Sequence, residues 1–124
     1  MRVLLVEDDL LTLLRNLADN AIRYTPLGGR VDLVILTTRQ DVLVQVRDTG
    51  PGIEPVERER VFDPFYRIPG NDNTGSGLGL AIVMTVARRI NAQILMEYAN
   101  AEVQCGLLVS VRLESVKASP QNAA

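Results

Sequence analysis

The chain contains no histidine. Imidazole is the side chain that titrates near neutrality and a common metal ligand, so histidine acid–base chemistry and histidine-containing metal centres are excluded as contributions of this chain. A lone cysteine, Cys105, excludes an internal disulfide and fits a reducing compartment; it reads as a small buried hydrophobe. No apolar run approaches the roughly 18 residues that a membrane-spanning helix needs, and the amino terminus lacks the basic-then-apolar layout of an export signal. Basic and acidic residues, 13 against 15, are spread along the chain, so no basic stripe points to nucleic acid or to an anionic bilayer. These absences set the expectation of a soluble, cytoplasmic piece with no nucleic-acid partner and no direct membrane insertion.

What is present supports one domain: 124 residues, 47% of them hydrophobic, suffice for a single core. Residues 1–6 form a short apolar run that predicts a buried strand, with Asp8 or Asp9 capping the helix that follows. Leu10, Leu13, Leu14, Leu17, Ala21 and Ile22 then recur at three- and four-residue spacing, which predicts an amphipathic helix ended by Pro26 and Gly28-Gly29. Two β-rich stretches, 30–38 and 42–47, predict a hairpin that delivers Asp48 at the end of its second strand. The charged run 54–60 predicts a short surface helix, and the polar stretch 68–76 a mobile loop. Leu78, Ile82, Val86 and Ile90 make a second helical stripe, with Arg88 and Arg89 placed to suit the helix dipole and Asn91 as a left-handed stop. Residues 93–98 and 107–113 read as closing strands; residues 115–124 read as a flexible tail.

Three groups of residues carry chemistry. Asn16 and Asn20, four apart on the first helix, project from one face with Arg23 a turn further on; an asparagine carbonyl is a hard oxygen of the kind magnesium accepts, although the pair taken alone is more simply a solvated helix face. Asp48 precedes Thr49-Gly50-Pro51-Gly52, where it can accept hydrogen bonds from an exocyclic amine or close an Asx turn, and the glycines allow a flat ring to approach the backbone. Gly75, Gly77 and Gly79 open the second helix, where backbone amides and the dipole favour phosphate, unless the glycines are merely a linker. Phe62 and Phe65, in a chain with few aromatics, predict anchors that pin one end of the loop to the core, ahead of direct stacking on a ligand.

In this order the segments 14–26, 48–52, 62–65 and 75–80 closely resemble the asparagine, first glycine, phenylalanine and second glycine boxes of the catalytic, ATP-binding domain of bacterial sensor histidine kinases, in the superfamily that also holds gyrase, Hsp90 and MutL. The resemblance runs from about residue 10 to residue 113. It implies an α/β two-layer sandwich, a mixed and mainly antiparallel sheet with helices on one face, forming a single ATP-binding domain over residues 1–114. It further implies ATP and magnesium as ligands. Asn20 would ligate the metal, Asn16 and Arg23 would face the phosphates, Asp48 would take the adenine amine, and Tyr24 would pack near the base. Gly50, Gly52, Ile53, Phe65, Gly75, Gly77, Leu78, Gly79 and Leu80 would complete the nucleotide site. Arg67 would reach the terminal phosphate from the base of an ATP lid within residues 66–78.

The ATP-hydrolysing relatives carry a glutamate where this chain has Asn16, and asparagine cannot deprotonate water. The resemblance therefore implies phosphoryl transfer to a histidine on a separate dimerisation domain, with a response regulator downstream, rather than efficient ATP hydrolysis or a serine-directed kinase. The parent would be a protein-histidine kinase, open to an inner-membrane placement. This chain alone lacks the acceptor and is expected not to phosphorylate itself on histidine. Residues 1–9 resemble the opening strand of response-regulator receivers, whose acidic pair would be Glu7 and Asp8, or else a lead strand of the kinase domain itself. Thr37 stands where a receiver's phosphoacceptor aspartate belongs, which disfavours receiver function. The family's usual additional helix and strand before the asparagine box are missing from these few leading residues, and Asn91-Ala92 replaces its glycine pair. A truncated, self-associating, non-catalytic module, dimerising through residues 1–6, is the alternative.

Overall fold

The computed structural model describes residues 2–68 and 77–114, with side chains from residue 8 onward. The carboxy-terminal tail, most of the lid region, and Gly75 with it, lie outside the described residues.

The chain opens not with a strand but with one long helix, α1 (Arg2–Tyr24). A short apolar run is compatible with strand or helix by pattern alone, and here it is continuous with a strongly periodic segment. No glycine or proline interrupts residues 1–25, so the helix extends through both. Neither the receiver-like nor the native lead strand is formed, and Asp8 and Asp9 lie within the helix instead of capping it. Asp9 pairs with Arg89 of the second helix at 3.2 Å. Thr25 closes the helix with its hydroxyl on the Ala21 carbonyl at 2.6 Å, just before Pro26.

Strands β1 (Val31–Thr37) and β2 (Asp41–Asp48) form the expected hairpin, and the Thr38 hydroxyl accepts the amides of Gln40 and Asp41 to make its turn. The charged run forms two single 3-10 turns (Pro55–Glu57 and Arg60–Phe62) in place of one helix. Helix α2 (Gly79–Arg89) ends as expected: Asn91 has φ 62°, while its amide and that of Ala92 return to the carbonyls of Arg88 and Ala87. This is the Schellman arrangement, reached with asparagine where glycine is usual. Strands β3 (Gln93–Asn100) and β4 (Cys105–Glu114) complete the sheet.

The order is β1-β2-β4-β3, and every described pair is antiparallel. Register places Val44 opposite Val111 and Val46 opposite Val109, with Ile94 and Met96 beyond them. That face meets Leu13, Leu17 and Ala21 of α1 and Val83, Val86 and Ala87 of α2 to form the core. The result is the two-layer α/β architecture, with the sheet on one side and both helices on the other. At the free edge, β1 exposes Leu33, Val34, Ile35 and Leu36. Among the described residues no helix is long and apolar enough to cross a membrane.

Candidate functional site

A cleft opens where the carboxy-terminal end of α1, the end of β2 and the start of α2 converge. Its lining includes Asn20, Arg23 and Tyr24 from α1, Asp48, Gly52 and Ile53 from β2 and its loop, Arg67, and Gly77, Gly79 and Leu80 at the start of α2. The topology explains the meeting. β2 and β4 are central strands, so Asp48 emerges beneath the helices, and the α1–α2 packing brings Asn20 alongside the amino-terminal turn of α2.

Asp48 is the polar centre of this cleft, only 3% exposed. Its Oδ1 accepts the Gly50 amide at 2.9 Å, which is the Asx turn, and also the Leu107 amide of β4 at 3.1 Å. Among the described residues both of these hydrogen bonds fall on Oδ1, leaving Oδ2 as the oxygen available to an incoming donor. Burial pushes the carboxyl above its ordinary pKa, and the two backbone donors pull it part of the way back. The Gly50 carbonyl in turn accepts the Gly106 amide at 2.7 Å. Gly52 has φ 82°, and a Cβ there would lie 2.6 Å from the Gly106 carbonyl oxygen and 2.8 Å from the Tyr98 ring. Only glycine fits this turn.

The other expected residues divide. Asn16 sits behind the cleft: its amide donates to the Thr12 carbonyl at 2.8 Å, while its Oδ1 faces the start of α2, 3.8 Å from where a Cβ on Gly79 would be. Gly50 shapes the loop through its backbone without lining the cleft, and Leu78 flanks the lining at the α2 N-cap. Phe65 is a correction: it is 69% exposed and does not anchor the loop in the core. Its backbone does the tying, with φ 67° and its amide on the Gly77 carbonyl at 2.8 Å, which turns the side chain outward. Phe62 does pack against the core. Cys105 is also corrected, being exposed, because it starts β4 directly after the turn at residues 101–104.

Sequence reasoning missed Pro51, Val61, Tyr66, Ile68 and Leu107 as lining residues. Tyr66 is fixed by its hydroxyl donating to Glu57 at 2.5 Å, and that acceptor raises the pKa of the phenol. Val61 is an apolar residue directly after the charged run, a legible signal for an inward-facing side chain. Leu107 enters through strand pairing across 59 residues, for which the sequence carries no local sign.

Residues 5–116 match the family of histidine kinase-, DNA gyrase B-, and HSP90-like ATPases. The chain belongs to this family. Among curated relatives it is similar to the sensor protein QseC of Escherichia coli K12, 47% identical over 90 residues that make up 73% of this chain and 19% of QseC. Among solved structures it is similar to the mycobacterial sensor histidine kinase MprB, with a TM-score of 0.78 and 34% identity over 86% of this chain and 72% of that one. Full-length ShkA in complex with AMPPNP is similar with a TM-score of 0.70 and 30% identity, over 84% of this chain and 21% of ShkA. The chain spans about a fifth of the length of the curated relatives it matches. This family binds ATP, usually with magnesium, and the sensor kinases in it work with response regulators.

Proposed function

We propose that this ATPase-family domain binds ATP with magnesium in the cleft and presents the γ-phosphoryl group to a histidine on a separate domain, from which a response regulator takes it. The observation that carries the reading is convergence: Asp48, the Asn20 and Arg23 side chains and the glycines entering α2 share one cleft. The nucleotide complex of the related ShkA supports the same reading.

In this reading Asp48 Oδ2 accepts the adenine amine, Gly52 and Ile53 form the floor beneath the base, and Tyr24 flanks it. The first amides of α2 have no acceptor within the helix and meet the phosphates, as helix N-termini do. Arg23 and Arg67 neutralise phosphate charge, which is most of what phosphoryl transfer requires of a protein. The donor set fits a magnesium ion carried on the nucleotide: Asn20 offers one carbonyl oxygen, and the described residues contain no cluster of three acidic or thiol ligands that would bind a cation unaided. When bound, the metal would neutralise and orient the phosphates.

Titration calorimetry tests this reading. ATP and ADP should bind saturably and more tightly with magnesium, and Asp48→Asn should lower affinity on the order of 10- to 100-fold, the worth of a hydrogen bond to a charged group. No saturable binding by the unaltered chain would sink the proposal. The non-catalytic alternative keeps one specific support, although not the one expected. Residues 2–6 are helical and offer no strand edge, whereas β1 exposes an apolar edge without proline or lysine to block pairing. Self-association should therefore run through β1 and rise with concentration in light scattering; a strictly monomeric chain ends that reading.

A further inference from the structure

The floor of the cleft is held from outside by an arginine that does not line it. Arg58, between the two 3-10 turns, donates from Nε to the Ile53 carbonyl at 2.9 Å and from Nη1 to the Met96 carbonyl of β3 at 3.4 Å. Its guanidinium lies over the Tyr98 ring, 4.8 Å from the centroid. The same ring sits against Gly52, 2.8 Å from where a Cβ would be. Ile53 is thus tied to β3 through Arg58, and Gly52 rests on the β3 ring that Arg58 covers. Among the described residues, the Arg58 contact is the one hydrogen bond to the backbone of residues 51–53. Nη2 is buried and has no acceptor among the described residues, an arrangement that stability alone does not favour.

We infer that Arg58 is a positioning residue for base recognition: it fixes the Gly52–Ile53 floor at the height at which a purine sits against Asp48. The inference rests on the nucleotide reading of the cleft and adds to it a residue outside the lining. A planar fork suits the task, because it reaches two carbonyls and stacks on a ring at once. Lysine reaches one carbonyl and does not stack in the same way. The contacts of Arg58 go to Ile53, Met96 and Tyr98, and it does not line the cleft beside Arg23 and Gly79, so its loss should blunt the choice between bases more than the grip on phosphates.

The experiment compares ATP and GTP affinity by calorimetry, with magnesium, for the unaltered chain, Arg58→Met and Arg58→Lys, beside their melting temperatures. Arg58→Met should weaken ATP on the order of tenfold and GTP much less, compressing the preference for ATP, with Arg58→Lys intermediate. A merely structural role would lower the melting temperature and weaken both nucleotides by the same factor. That result, or an unchanged ratio, overturns the inference while leaving the proposed function intact. Should Arg58→Met fail to fold, Arg58→Lys carries the test: a ratio equal to that of the unaltered chain overturns the inference. If the unaltered chain binds neither nucleotide, the functional reading fails and the inference falls with it.

Discussion

The two ends of the cleft are built differently. At the end that the proposed function gives to the base, Asp48, Gly50, Gly106 and Leu107 are stitched by hydrogen bonds across two central strands, and Gly52 and Ile53 are held by Tyr98 and Arg58. At the end that it gives to the phosphates, Asn20 and Arg23 stand on one helix and Gly77 and Gly79 lead into another, with the Phe65–Gly77 backbone bond between. A base offers a few directional groups, so its recognition rewards a fixed frame. A triphosphate offers charge, which helix dipoles and arginines meet without exact registry.

The contrast breaks most sharply at Asp48. Asp48→Ala should abolish nucleotide binding and also destabilise the fold, because the Gly50 and Leu107 amides lose their acceptor at about 1–3 kcal/mol each. Asp48→Asn separates the two effects: its carbonyl still accepts both amides, while the group facing the base becomes a donor. Stability should then move opposite to affinity. Because the folded pKa of Asp48 is raised, protonation favours the folded state; that gain is complete below the unfolded value of 3.8 and is lost as pH rises through the folded value. Above the folded value the carboxylate is a desolvated charge, which asparagine replaces with a neutral group. Thermal melts should show Asp48→Asn more stable than the parent at pH 7, with the advantage shrinking as pH falls towards the carboxylate range. A constant difference across pH would contradict the assignment.

At the phosphate end the largest effect expected is at Gly77, with φ 81° and a Cβ position 2.9 Å from the Phe65 Cα. Gly77→Ala should cost about 1–3 kcal/mol in backbone strain. The two ends are distinguishable by ligand: this variant should weaken ATP far more than adenosine in calorimetry, whereas Asp48→Asn should weaken both alike. Equal losses for Gly77→Ala would mean that the ends are not independent.

Much of the architecture was legible because it is local. The hairpin, the left-handed Asn91 and the stripe of α2 follow from spacing and turn chemistry within a few residues. Asp48 was legible as a strand-end carboxylate before two glycines, and Asn20, Arg23, Gly77 and Gly79 as a helix face and a helix start. Less legible was whatever depends on distant pairing. The Leu107 amide reaches Asp48 only because β4 lies between β2 and β3, and Arg58 reads as one charge among several until Met96 and Tyr98 are placed beside it. Residues 2–6 misled for the opposite reason: the apolar run is ambiguous by itself, and its continuity with α1 decided it.

The smallest effect expected tests the corrected role of Phe65. An aromatic anchor would give up several kcal/mol on truncation, as a buried phenylalanine does. Phe65, largely exposed, should lose no more than about 0.5 kcal/mol as Phe65→Ala, because the contact that joins it to Gly77 is made by its amide, which alanine retains. Phe62→Ala, in the packed 3-10 turn, should cost several times more. Phe65→Gly sharpens the point: at φ 67° glycine relieves the left-handed backbone, so its melting temperature should equal or exceed that of Phe65→Ala. Were Phe65→Ala instead as damaging as Phe62→Ala, the side chain would be the anchor after all, and the join between the two ends of the cleft would be apolar packing instead of a single backbone hydrogen bond.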